Sequence, residues 1–194
     1  MPTVVGQIDA VSELFNGQGD IIVFDKPADL STATLKTLAN PKSLGDIKLD
    51  STSWSGDDPT VNLIKNEQGE TVITTVEAGT FGFEFTAMST SAAMLTKLFG
   101  ASAVSASFTT NTDLFATGSV VTGFGTTPTI VECPIMVVNS TLNKSIIFPN
   151  AEIVSNLTIE DKVYCIKCKV TAKNINTDNL KTVMVVSGDV DYTA

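Results

Sequence analysis

Turn-forming residues, Gly, Pro, Asn and Asp, recur about every ten positions along this chain, and the runs between them are rich in Val, Ile, Thr and Phe with alternating polarity. Alternation places every second side chain on the same face of an extended strand, so such runs bury one face and expose the other. The pattern predicts a mainly all-β fold, a sandwich or barrel of two packed antiparallel sheets with one or two short flanking helices. Predicted strands are Ile21 to Phe24, Ile47 to Ser53, Val61 to Lys65, Thr71 to Glu77, Phe81 to Ala87, Ser119 to Gly123, Ile130 to Val138, Ser145 to Phe148, Ala151 to Leu157, Lys162 to Lys173 and Thr182 to Val190. Residues Val61 to Ala87 read as a meander, turned at Asn66-Glu67-Gln68-Gly69 and interrupted at Ala78-Gly79. Phe81, Phe83 and Phe85 alternate with Gly82, Glu84 and Thr86, which places three rings on one core-facing side.

Two helices are expected between the strands. Hydroxyls at Ser89 to Ser91 suit an N-cap, Ala92 to Phe99 favours helix with Met94, Leu95 and Leu98 in a stripe, and Gly100 stands where a terminating glycine belongs. A second helix is expected from Ser31 to Ala39, with Leu35 and Leu38 inward and Asn40-Pro41 stopping it. A chain of 194 residues buries roughly 70% of the surface its unfolded state exposes, so one domain, 1–194, needs no disulfide or structural metal.

Composition removes whole classes of chemistry. The 12 basic residues are all Lys, with no Arg and no His, against 21 acids, for a net charge of -9. Without His there is no Ser-His or Cys-His nucleophile pair and no imidazole proton shuttle. Without Arg there is no arginine finger and no bidentate grip on phosphate or guanine. The first Lys is Lys26, so Met1 to Gly6 does not resemble a secretion signal; the expectation is a cytosolic, soluble product with reduced thiols, and no apolar run is long enough to span a membrane.

Each remaining candidate site has a plainer alternative. Cys165-Ile166-Lys167-Cys168 is a CxxC, but residues three apart on a strand point to opposite faces, and Cys133 is the one other thiol. Lys167, Lys169 and Lys173 would form a stripe able to track phosphates, yet no aromatic residue interleaves with it and edge lysines commonly guard a sheet. Asp57-Asp58 and Asp189-Val190-Asp191 lack a third carboxylate for a cation, and Gly17-Gln18-Gly19, Gly118, Gly123 and Gly125 lack the context of a phosphate loop. No catalytic residue, cofactor site or metal site is expected. Between 101 and 150 the charged residues are Asp113, Glu132 and Lys144 alone, and Ala101 to Thr129 is a low-charge run of Ser, Thr, Ala and Gly. That run is expected to be a long loop, either flexible and polar or a subunit contact that orders, and shields Phe115, on assembly.

The order of segments then points to a family. Lys48-Leu49-Asp50-Ser51-Thr52-Ser53-Trp54-Ser55-Gly56-Asp57 is followed by Ile64-Lys65-Asn66-Glu67-Gln68-Gly69-Glu70 and by Val76-Glu77-Ala78-Gly79-Thr80-Phe81-Gly82-Phe83-Glu84-Phe85. A helix ending Lys97-Leu98-Phe99-Gly100 comes next, and Ile146-Ile147-Phe148-Pro149-Asn150-Ala151 leads into a long Lys-rich strand. This succession resembles the bacteriophage major tail tube proteins over residues 46–194, the opening 1–45 matching less well. The resemblance implies a non-enzymatic subunit that self-assembles into hexameric rings, stacked as the hollow tail tube of a virion assembled in the host cytoplasm. It further implies other tail proteins as partners, DNA passing through the lumen without specific binding, and no membrane. Related tubes serve contractile tails, bacteriocins and secretion systems. The alternatives are a virion decoration or head-tail joining protein, which would form a closed oligomer, and a non-viral β-sandwich binding module.

Overall fold

The computed structural model describes residues 20–188, apart from 46, 49, 89–91, 101–102, 125–128, 140–142 and 161. The chain is mainly β, as its alternation predicts. In order come β1 (Asp20–Val23), a single 3-10 turn (Leu35–Thr37), β2 (Lys42–Ser43), β3 (Ser53–Gly56), β4 (Thr60–Lys65), β5 (Thr71–Glu77) and β6 (Phe81–Ala87). The helix α1 (Ala92–Phe99) is followed by β7 (Ala103–Ser107), β8 (Val120–Phe124), β9 (Ile130–Asn139), β10 (Lys144–Glu160), β11 (Val163–Ala172) and β12 (Met184–Ser187).

Eight strands form one antiparallel sheet in the order β2-β1-β9-β10-β11-β6-β3, with β12 also paired to β10. The two ends of that order, β2 and β3, belong to one stretch of chain, and between them Ile47 bridges Ala87 at the end of β6. A single run of backbone therefore joins both edges, and the sheet curls. Inward residues of β1 (Ile21, Val23), β6 (Phe83, Phe85, Ala87), β9 (Ile135, Val137), β10 (Phe148, Ile153) and β11 (Ile166, Val170) meet in one core. Helix α1 closes one end of that core with Met94, Leu95, Leu98 and Phe99. Gly100 follows in the left-handed region at φ 58°, which ends the helix without the steric penalty a side chain would add. The expected N-cap at 89–91 lies outside the described residues.

A second apolar layer covers the outer face of β1, β9 and the first part of β10, where Ile22, Phe24, Met136, Val138 and Ile147 pack with Leu35, Leu38 and Val186. This layer explains the fate of the helix expected at Ser31 to Ala39, of which only the turn at Leu35–Thr37 forms. Leu35 and Leu38 do face inward, but the segment is held by contacts with distant chain, including the Ala33, Ile175 and Leu180 cluster, rather than by a helical face.

The strands predicted at Ser145 to Phe148 and Ala151 to Leu157 are one 17-residue strand, β10. Pro149-Asn150 is a β-bulge, since Phe148 faces Ile135 while Ala151 faces Cys133 on β9. One extra residue reverses the parity of everything beyond it, so Phe148 before the bulge and Ala151 and Ile153 after it all point into the core. The strand predicted from Ile47 to Ser53 is displaced: Ile47 makes an isolated bridge and the ladder runs from Ser53 to Gly56. Residues 101–129 depart furthest from expectation. The strand predicted at Ser119 to Gly123 forms, one residue later, as β8, but in place of a long loop before it the described residues pair it with β7 in a hairpin whose tip is held by stacked Phe108 and Phe115 with ring centroids 4.7 Å apart.

Candidate assembly surface

Antiparallel β4 and β5 form a two-stranded hairpin outside the main sheet, with Val61 opposite Val76 and Ile64 opposite Ile73. At the turn, the Asn66 side-chain oxygen accepts hydrogen bonds from the backbone N–H groups of Gln68 and Glu70, at 3.1 and 2.8 Å. This is an Asx-type turn that fixes the register of the strands. Every residue of both strands is exposed. On the shared face, Val61, Leu63, Val72 and Val76 range from 52% to 64% exposed, and Ile64 and Ile73 lie uncovered on the other face. A free two-stranded hairpin is at best marginally stable in water, and exposed apolar side chains in such a cluster mark a contact surface.

The body aims this arm. β3 pairs with β6 from Ser53 opposite Glu84 to Gly56 opposite Phe81, and the backbone N–H of Asp57 continues the ladder to the carbonyl of Thr80 at 3.1 Å. The Thr80 hydroxyl donates to Asp57 Oδ2 at 2.9 Å. Here the chains cross closely enough that a Cβ on Gly79 would lie 1.9 Å from the Asp57 carbonyl oxygen, so the junction admits only glycine. Beside it, Trp54 on edge strand β3 and Phe81 at the end of β6, both partly exposed on the core-facing side, join buried Phe83 and Phe148 in one aromatic cluster with centroids 5.1 to 6.3 Å apart. At roughly 3.3 Å per residue the arm extends about 20 Å from this base. The β7–β8 hairpin offers a second such element, with Leu114, Val120 and Val121 exposed.

The lysine stripe lies where the sequence places it, on the outer face of β11, but its charges are met by neighbouring strands. Glu84 on β6 lies 3.7 Å from Lys167 and 3.8 Å from Lys169, and Lys173 sits 2.9 Å from Glu132 and 2.8 Å from Glu152. Lys26 adds a further hydrogen-bonded pair with Glu132. Such a mixed belt across β6, β9, β10 and β11 offers little net positive potential to a phosphate backbone. Hydrogen bonds from Lys26 and Lys173 hold the Glu132 carboxyl down to about 2 from its ordinary 4.5. A depressed carboxylate favours the folded state above its ordinary value, and that contribution fades as pH falls through the folded value. An NMR titration of the Glu132 side-chain carboxyl carbon is therefore expected to show a midpoint near 2, rising toward 4.5 when Lys26 and Lys173 are both replaced by Gln. A wild-type midpoint at 4.5 would show that the pairs do not form in solution.

The CxxC does not assemble a site. Cys168 faces Phe85 and Ser155 on the inner side, while Cys165 stands opposite Thr158 on the other side of β11. All three cysteines are free and buried, and burial pushes the thiols of Cys133 and Cys168 up to about 12. Among the described residues no group of three or more His, Cys, Asp or Glu is placed to hold a metal, and no helix is long and apolar enough to cross a membrane. Asp57 is occupied at the arm's base, Gly118 and Gly123 belong to the β7–β8 hairpin, and Gly17-Gln18-Gly19, Gly125 and 189–191 lie outside the described residues. No sequence signal marks the exposure of the arm. Alternation there marks an apolar face without saying what covers it, and 101–129, expected as a loop, supplies the other hairpin.

Comparison of the sequence with protein-family models finds no match, and comparison with curated proteins finds none.

Proposed function

We propose that this chain is a structural subunit that polymerises with copies of itself into stacked hexameric rings, forming a tube of the bacteriophage tail type. The observation that carries the reading is the β4–β5 arm, whose exposed apolar face has no cover within the described chain. Burial of that face at about 25 cal/mol per Å² favours association, and contact with a neighbour supplies what a lone hairpin lacks. A second feature agrees with it: β3 is an edge strand whose residues are exposed, Trp54 at 38%, so the sheet can be extended by another chain. The order of segments that resembles tail tube proteins selects a ring and tube from the possible polymers. A net charge of -9 and a lysine belt matched by Glu84, Glu132 and Glu152 suit a conduit through which DNA passes without being held.

Under this reading the protein acts in the virion tail, after assembly in the host cytoplasm, together with other tail proteins, and performs no catalysis. Sedimentation velocity at rising concentration, followed by negative-stain microscopy of the fast fraction, tests it. Hollow tubes with a ring repeat are expected. Closed single rings would favour a decoration or joining protein, and a strict monomer at every concentration and salt would overturn polymerisation.

A further inference from the structure

The arm leaves the body at the Phe81 end of β6, and a cleft lies between α1 and the segment just before Ile47, the residue that bridges Ala87 at the other end of that strand. It is bounded by Lys42, Ser43, Leu44 and Gly45 on one side and by Ala93, Met94 and Lys97 of α1 on the other. Leu44 and Met94 are buried and form an apolar floor; exposed Lys42 gives the rim its positive charge, and half-buried Lys97 is paired with Asp25. Its volume is about 190 Å³, below the roughly 300–1,000 Å³ typical of small-ligand sites. The size suits one or two protruding side chains better than a cofactor.

The turn of the arm has the complementary character. Residues 57–80 contain Asp57, Asp58, Glu67, Glu70 and Glu77 against Lys65 alone, and Glu67 and Glu70 flank exposed Gln68 at the tip. We propose that this acidic turn docks in the cleft of a second copy, with Glu67 and Glu70 facing Lys42 across the Leu44–Met94 floor. The inference rests on the self-assembly reading and makes it specific. Because the arm tip and the cleft are different surfaces of the subunit, the contact is head-to-tail, the kind that can repeat without closing on a pair. Opposite charges at the rim select the register of docking.

Disulfide trapping between two variants tests the contact. Gln68→Cys places a thiol at the tip and Ser43→Cys one at the cleft, both at exposed positions, while the native thiols are buried. Mixed and oxidised, the two variants are expected to give a tip-to-cleft cross-linked peptide in mass spectra at least about tenfold above either homodimer, a preference worth about 1.4 kcal/mol. Adding Glu67→Lys and Glu70→Lys to the tip variant should lower the yield, and Lys42→Glu on the cleft variant should restore it. Lys97 is left intact because it is hydrogen-bonded to Asp25. If wild-type protein forms tubes but the cross-link stays at homodimer level, the docking is wrong and the assembly reading stands. If the cross-link forms without tubes, the docking stands and the tube reading falls. Absence of both overturns both, and a tip variant carrying Glu67→Lys and Glu70→Lys that links to the unchanged cleft as well as the original would show that the rim charge plays no part.

Discussion

Leu63→Asp is expected to leave the subunit folded and to abolish its assembly. Leu63 lies in the middle of β4 on the face shared by Val61, Val72 and Val76, and it is 52% exposed. A substitution at such a position changes monomer stability by about 0.5 kcal/mol or less. At a contact the same carboxylate loses its hydration without gaining a partner, at a cost of several kcal/mol. A loss of about 4 kcal/mol raises the concentration needed for assembly about a thousandfold. Far-UV circular dichroism and the thermal midpoint should match wild type, while sedimentation should detect only monomer. Assembly at the wild-type concentration would remove the arm from the interface.

Phe148→Ala is expected to destabilise the monomer by about 3–5 kcal/mol, the range for emptying the site of a buried aromatic ring. Phe148 is fully buried at the last position before the β10 bulge, with centroids 5.7 Å from Phe81, 5.6 Å from Phe83 and 6.3 Å from Trp54. For a chain of this size each kcal/mol lowers the thermal midpoint by about 2–4 °C, so a fall of about 10 °C is expected. The ring also supports the junction from which the arm springs. Trp54, the single Trp, should therefore emit further to the red in the variant. A shift in midpoint of under about 2 °C, corresponding to less than 1 kcal/mol, would mean that Phe148 is not central to this core.

How far the sequence exposes this fold depends on which interactions decide each element. β6 is legible because Phe83 and Phe85 alternate with small or polar residues, and the alternation is local. Helix α1 is equally local, with an apolar stripe and a glycine just past its last turn. The unity of β10 is hidden, since Pro149-Asn150 has the composition of a turn and becomes a bulge only because β9 pairs on both sides of it. β7 is hidden for another reason. Ala103 to Ser107 is rich in Ala and Ser, which carry little strand preference, and β8 makes it a strand. The segment at 31–39 shows the converse, where helix-compatible residues are recruited by tertiary packing around Leu35 and Leu180.

The candidate assembly surface is legible in the sequence only in part. Alternation in β4 and β5 states that a face is apolar; whether that face is covered by the same chain or by another is a property of the completed fold. Phe115 illustrates the same limit. Its ring stacks on Phe108 inside the β7–β8 tip, so a charge there would disturb the hairpin itself and cannot report on assembly alone. The cleft at Lys42 and Lys97 gives no sequence signal, because its walls are 48 residues or more apart in the chain, Gly45 and Ala93 being the nearest pair.

Amide hydrogen exchange across Thr60–Glu77, measured on free subunits and on sedimented assemblies of the same preparation, tests most directly whether the arm is the polymerising element. In the free subunit these amides are expected to exchange quickly, as in any hairpin lacking cover, while those of β9, β10 and β11 exchange slowly in both states. On assembly the arm should become protected at least about a hundredfold, the factor corresponding to about 2.8 kcal/mol of added local stability. Equally fast exchange in the assembled material would contradict an arm held by neighbouring subunits.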